Sequence, residues 1–275
     1  MFTFRDKLKE FLEEHNCGSL ISFIRYLKYQ YAQLKQSIKI LKLKCKKLVF
    51  SLRSKRIVDN YLKNHKVRKL QLGAGGNILQ GWLNTDLLPY DNQIVILDVT
   101  KPFFFLNDTF DYIFCEHMIE HLPYSKATFM LKECLRILKP GGRIRISTPN
   151  LKVYLDLFKE NKDEMQRRYI TWIANNWLER GGISLKNEAF IINLIMRGWG
   201  HNFVYDFETL KDTLLGSGFR NVLKCTVGES QEECFRDIER HGDTIKDIKG
   251  IKKQHGRLID NEMVRFDTLV VEAIK

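Results

Sequence analysis

The chain has 275 residues, 44% hydrophobic and 28% charged, an ordinary balance for a globular protein that excludes wholesale disorder. No window approaches about 18 consecutive apolar residues, so no transmembrane helix is expected. The opening MFTFRDKLKEFLEEH puts acids and bases where a secretory leader needs an apolar core. The net charge of +12 is local: residues 21–69 hold 15 of the 45 bases and one of the 33 acids, Asp59, leaving 30 bases against 32 acids elsewhere. The basic balance therefore belongs to one segment and does not by itself make the chain a nucleic-acid binder.

Residues 1–66 read as a basic helical extension with no proline and a single glycine, Gly18. Leu20, Leu27, Leu34, Leu41 and Leu48 recur at heptad spacing, with Ile24, Tyr31, Ile38, Cys45 and Leu52 between them, as in a coiled-coil seam. The flanking positions carry Lys and no acid, so two identical parallel helices gain no cross-pairs. Phe23, Tyr26, Tyr29 and Ile40 widen the apolar stripe. Three readings stay open: packing on the following domain, docking of residues 20–56 on an anionic membrane surface, or a coiled-coil partner.

From 67 to 150, short apolar runs alternate with turns. VRKLQLG, WLNTDLL, QIVILDV, FDYIFCE and GRIRISTP are strand candidates. A helix over 125–138 carries Met130, Leu131, Cys134, Leu135 and Leu138 at helical spacing, and Lys139-Pro140-Gly141-Gly142 stops it. Residues 151–200 form a helical, aromatic-rich insertion. Asp206 caps a helix through ETLKDTLL that Gly216 and Gly218 end, and RNVLKCTVGE and FDTLVVEAIK follow as strands. Six cysteines without a C-x-x-C pair read as reduced thiols of a cytoplasmic protein.

The chemistry gathers at strand ends. Leu70-Gln71-Leu72-Gly73-Ala74-Gly75-Gly76-Asn77 runs from a strand into a glycine turn, where the backbone can approach a ligand closely. Alone, such a turn is ordinary. Asp86 then ends the second strand, where an acid can accept from both ribose hydroxyls of a nucleoside, and Asp98 ends the third, where a carboxylate can hold an adenine amino group. The fourth ends in Cys115-Glu116-His117. Four consecutive strand ends with polar groups beside a glycine turn make a ligand crevice.

Taken in order, LGAGGN, WLNTDL, DV, DTFDYIFCEHMIEHL and LKECLRILKPGGRIRISTPN resemble the class I methyltransferases that use S-adenosylmethionine (SAM), in the small-molecule branch with an E-H-x-x-E-H-L signature. The resemblance is strong over 67–150, weaker to the C-terminus and absent before 67. It implies an α/β fold, a doubly wound seven-stranded sheet, mostly parallel with an antiparallel last strand. It divides the chain into the extension 1–66 and a SAM-binding domain 67–275 with a lid at about 151–200. It places Gly73, Ala74 and Gly75 near the methionine part of SAM, Asp86 and Leu87 at the ribose, Asp98 and Val99 at the adenine, and Glu116 on the methionine side. The run Gly-Ala-Gly-Gly departs from the family's glycine spacing, and the gap to Asp86 is too short for a full helix.

A hydroxyl acceptor benefits from a base tuned near neutral pH, and His117, His121 and His201 are the candidates. His121, before Leu122-Pro123, has a plainer reading as a group satisfying backbone at a helix end. His117, Glu120 and His121 also fall at i, i+3 and i+4, and His201 could complete a four-ligand metal site. The reading adopted assigns the histidines to proton transfer and no metal. In the lid, Tyr154, Phe158, Tyr169, Trp172, Trp177, Phe190 and Trp199 are either a small helical core or a surface suited to sugars. The expected activity is methyl transfer from SAM to the oxygen of a small-molecule or glycan-linked acceptor, at the inner membrane surface if the extension docks there. The rivals are a nucleic-acid methyltransferase holding phosphate on the basic segment, which the CEHM strand end in place of an amino-base motif makes unlikely, and a non-catalytic SAM-binding scaffold.

Overall fold

The computed structural model describes residues 53–88, 91–179, 187–240 and 261–275, with Gly182 and a few residues between 11 and 35. The chain divides into two compact units, Met1–Arg53 and Ser54–Lys275. In the first, residues 26, 27, 29–31, 34 and 35 are helical, and Leu27, Tyr29, Tyr31 and Leu34 are exposed. The remainder of the heptad pattern, and with it most of the stretch considered for membrane docking, lies outside the described residues. Among the described residues, no helix is long and apolar enough to cross a membrane.

The second unit opens with all but the first residue of α1 (53–64) and then β1 (Lys69–Leu72), β2 (Leu83–Asp86), β3 (Val95–Ile96) and β4 (Phe110–Glu116). After a single 3-10 turn at Ile119–His121 come α2 (Tyr124–Ile137) and β5 (Leu138–Pro149). The lid holds α3 (Leu151–Asp156), α4 (Glu164–Ile173) and α5 (Glu188–Asn193), and π turns at Ala174–Leu178 and Leu194–Gly198 extend the last two. The chain closes with α6 (Phe207–Gly216), β6 (Arg220–Cys225), α7 (Asn261–Phe266) and β7 (Thr268–Ile274).

The strands form one seven-stranded sheet in the order β3-β2-β1-β4-β5-β7-β6. The first five pair in parallel, and β7 runs antiparallel between β5 and β6. This is the doubly wound α/β sheet expected, with its last strand reversed. Alternate residues of β4 serve opposite faces. Ile113 and Cys115 join Met130, Leu131 and Cys134 of α2 and Leu210 and Leu214 of α6 in the main core. Phe114 faces the other way, toward Leu79, Trp82, Phe235 and Ile238. Asp206 caps α6 by accepting from Thr209 N at 2.8 Å. Among the described residues, Cys115, Cys134, Cys225 and Cys234 are free thiols.

The compact unit begins at Ser54, so a division at 66/67 cuts through its packing. Val58 and Tyr61 of α1 are buried in the main core. The Tyr61 hydroxyl accepts from Lys69 N at 2.7 Å, and Ser54 Oγ accepts from Ile96 N at 3.2 Å. About three turns of basic helix thus belong to the sheet domain because their apolar side covers it.

The lid has its own core of Tyr154, Tyr169, Ile173, Ile191 and Ile195. The hydroxyls of Tyr154 and Tyr169 both donate to Asp267 Oδ2, at 2.8 and 2.6 Å. These two aromatic residues are therefore core, whereas Phe158 is exposed.

The sheet's second face is fastened by a buried charge. Arg145 of β5 is fully buried opposite Glu272 of β7. Its guanidinium donates to Glu272 Oε1, Glu239 Oε1 and the carbonyls of Glu229 and Thr226. Removing it would leave two buried carboxylates uncompensated. We expect Arg145→Ala to lower the unfolding free energy in urea by about 3–5 kcal/mol. A loss below about 1 kcal/mol, the range of exposed pairs, would overturn this assignment.

Candidate active site

β1 and β4 pair in parallel with Leu72 opposite Cys115, so both strands leave the sheet at one level. The chain runs from β1 outward to β2 and β3 on one side, and from β4 to β5 on the other. Such a reversal opens a crevice at the carboxyl ends of the two strands. The candidate residues lie around it.

Gly73 and Gly75 both have positive φ, +67° and +52°. A Cβ on Gly73 would lie 2.6 Å from Met118 Cγ, so this glycine lets the β1 and β4 ends meet. A Cβ on Gly75 would meet nothing within 4 Å, so that side of the loop is open. Ala74 is buried, its N–H donating to Thr85 O at 2.9 Å. Gly75 N donates to Asp86 Oδ2 at 2.8 Å and Leu88 N to Oδ1 at 2.9 Å. Each carboxylate oxygen keeps a further lone pair for a ligand. Leu87 is exposed beside it.

Asp98 stands differently. Lys101 Nζ lies 2.8 Å from Oδ2, and Thr100 donates to Oδ1 through its N–H at 3.1 Å and its hydroxyl at 2.6 Å. The lysine contact first, then the Thr100 hydroxyl, holds its carboxyl down to about 2. Much of its accepting capacity is thus used within its own turn. Val99 packs partly buried against the core. Glu116 is buried, accepting from Asn77 Nδ2 at 3.2 Å and Arg240 N at 2.7 Å.

The three histidines separate. His117 has a left-handed φ of +43°, a costly conformation for a non-glycine residue that turns the chain out of β4. Its Nδ1 lies 3.4 Å from Glu120 Oε1, and its Nε2 is 3.4 Å from Thr268 Oγ1. Burial disfavours the charged imidazole, but the Glu120 carboxylate outweighs it and holds the His117 pKa above its ordinary value. Burial likewise pushes Glu120 up, yet His117 brings it below the usual carboxylate range. Glu120 Oε2 accepts from the Thr148 hydroxyl at 3.0 Å.

His121 is exposed and faces His201, their ring centres 5.0 Å apart. His121 Nδ1 lies 3.3 Å from Gly200 O. Burial lowers the pKa of His201. The loop carrying His201 is fixed by hydrogen bonds: Asn202 N and Phe203 N donate to Glu120 O at 2.7 and 3.1 Å, and Asn202 Nδ2 donates to His121 O at 2.8 Å. The structure therefore brings His121, His201 and Glu120 together and sets His117 behind Glu120, so the i, i+3, i+4 spacing does not gather His117 with the other three. Asn202, Thr148 and Arg240 were missed by sequence reasoning. Asn202 directly follows the candidate His201 in the sequence; the other two carry no local signal.

Residues 70–146 match a family model described as a methyltransferase domain. That match spans 77 of the 275 residues, from β1 into β5. No curated protein matches the chain in sequence. Among solved structures, a SAM-dependent methyltransferase of Archaeoglobus fulgidus is 19% identical, covering 84% of this chain and 94% of its own, at TM-score 0.43. A possible histamine N-methyltransferase of Thermotoga maritima is 12% identical over 84% and 95%, at 0.39. A Haemonchus contortus phosphoethanolamine N-methyltransferase, in complex with phosphomonomethylethanolamine and S-adenosylhomocysteine, is 14% identical over 81% and 52%, at 0.41.

The two glycines of the loop after β1 should respond differently to alanine. Gly73→Ala meets both the positive φ and Met118, and should lower stability by about 2–4 kcal/mol. Gly75→Ala meets only the φ and should cost about 1 kcal/mol. Urea denaturation of both variants measures this; equal losses would mean that the Met118 contact does not constrain Gly73.

Proposed function

We propose that this methyltransferase, which takes its methyl group from SAM, delivers it to a hydroxyl oxygen of a small or glycan-linked acceptor. The observation that carries the reading is the meeting of His121 and His201 beside the β4 end, close to Met118, whose side chain packs against Gly73. Groups able to activate a hydroxyl thus adjoin the loop that would hold the donor.

In this reading the open side of Gly75 receives the methionine part of SAM, and Asp86 accepts from the ribose hydroxyls. Asp98 and Val99 border the adenine, with Asp98 the weaker contact because its own turn engages it. Glu116, fixed by Asn77 and Arg240, borders the methionine side. The C–S bond breaks as the C–O bond forms, the sulfonium leaves as a neutral thioether, and the hydroxyl proton passes to a base or to solvent. Since the sulfonium is already activated, the protein chiefly supplies alignment and a dry site. His121 and His201 activate the acceptor oxygen, with His117 behind them on Glu120.

The lid supports a sugar-bearing acceptor. Ring centres step from Trp172 to Trp177 at 4.9 Å, to Trp199 at 5.5 Å, to His201 at 5.9 Å and on to His121. An aromatic row ending at the imidazoles suits the apolar faces of a sugar ring whose hydroxyl points at the histidines.

Two measurements test the reading. Asp86→Ala should weaken SAM binding by about 1.5–3 kcal/mol in calorimetric titration, the cost of losing a charged acceptor; unchanged affinity removes Asp86 from the ribose site. His201→Ala should lower turnover of SAM with a hydroxylated acceptor by about 100-fold or more while SAM affinity holds. Full turnover in that variant would take the acceptor away from the histidines.

A further inference from the structure

We propose that Glu120, His121 and His201 bind one divalent transition-metal ion of the zinc kind. This rests on the reading above, since the ion would stand where the acceptor oxygen is activated.

The first observation is convergence. Each of the three side chains offers a ligand atom, and these atoms lie within 4.8 Å of one another. Two donors on a tetrahedral ion with bonds near 2.1 Å stand about 3.4 Å apart, so a shift of at most about 1.4 Å closes the set. His121 is exposed, and its ring can supply that movement.

The second observation is unmet polar demand. Glu120 is fully buried, and its Oε1 has no hydrogen-bond partner, the His117 imidazole approaching it only to 3.4 Å through Nδ1. His201 Nδ1 is likewise buried without a hydrogen bond. A buried polar atom left so is unfavourable, and an ion ligated there would satisfy it.

The third observation is support around the ligands. Thr148 donates to the other oxygen of Glu120, and His117 stands behind the carboxylate. Gly200 O faces His121 Nδ1, which leaves the Nε2 side of that ring for an ion. Asn202 ties the His201 loop to the turn carrying Glu120 and His121. Ligands oriented by a hydrogen-bonded surround are the usual arrangement of a metal site.

Two imidazoles and one carboxylate select the ion. Mg²⁺ and Ca²⁺ favour oxygen donors, whereas imidazole suits Zn²⁺ and its neighbours. Three protein ligands leave a fourth position open, where a bound ion acts as a Lewis acid on an oxygen.

The test uses full-length protein stripped with EDTA and dialysed. Titration with Co²⁺, read by visible d–d absorption, should show one equivalent in a tetrahedral environment, displaced by Zn²⁺. His121→Ala and His201→Ala should each weaken Co²⁺ binding about tenfold or more, with near-UV circular dichroism unchanged. Because His121 is exposed, its variant should fold even if His201→Ala does not. Failure of the wild type to bind Co²⁺, or binding that a folded His121→Ala variant retains in full, would overturn the proposal. SAM affinity measured on the same samples separates the two readings: SAM binding without Co²⁺ binding defeats the ion alone, and Co²⁺ binding without SAM binding defeats the proposed function alone.

Discussion

The in-register parallel pairing of β1 with β4 is the constraint on which the rest depends. With Leu72 opposite Cys115, two strands running the same way end side by side, and their connections must leave in opposite directions. The chain can do this only with unusual backbone. Gly73 takes a positive φ and leaves no side chain in the way of Met118, while His117 accepts a left-handed conformation at the end of β4. The crevice follows from the sheet order, and the Asp86 carboxylate then fixes the glycine loop through Gly75 N.

The opposite face shows how a charge can be buried at little risk. Arg145 lies in the middle of β5, and every partner of its guanidinium comes from β7 or from the segment after β6. That segment supplies Phe235 and Ile238 to the smaller core, and Arg240 N to Glu116. A structural ion network far from the histidines in sequence is therefore continuous with a residue of the candidate site. Burying the guanidinium is tolerable because two carboxylates and two carbonyls surround it.

The lid fixes the remaining geometry. Its tyrosines are held by Asp267, next to Thr268 and so close to His117. Its last turn delivers Trp199 and His201, and Asn202 fastens that end onto the turn after β4. Two segments separated by about eighty residues thus form one rigid edge, so an imidazole pair can be held without a bond between the imidazoles.

Much of this was legible in the residues. The glycine turn, the acids at strand ends, the α2 helix and its KPGG stop, and the capping Asp206 each follow from local chemistry, because turns, caps and periodicity are decided within a few residues. The order of motifs then implied the sheet. The partners of each polar group were not legible. The Asp98 turn is local, since Thr100 and Lys101 follow two and three residues on, but nothing near His117 says that it faces inward to Glu120 while His121 turns out to His201, eighty residues away. The same holds for α1, whose basic composition groups it with the extension although Val58 and Tyr61 cover the sheet. By itself the sequence determined which residues end strands, cap helices and carry titratable chemistry. Only the tertiary structure decided which of them meet, because those contacts join segments far apart in the chain and depend on strand order, burial and the unsatisfied atoms that packing leaves behind.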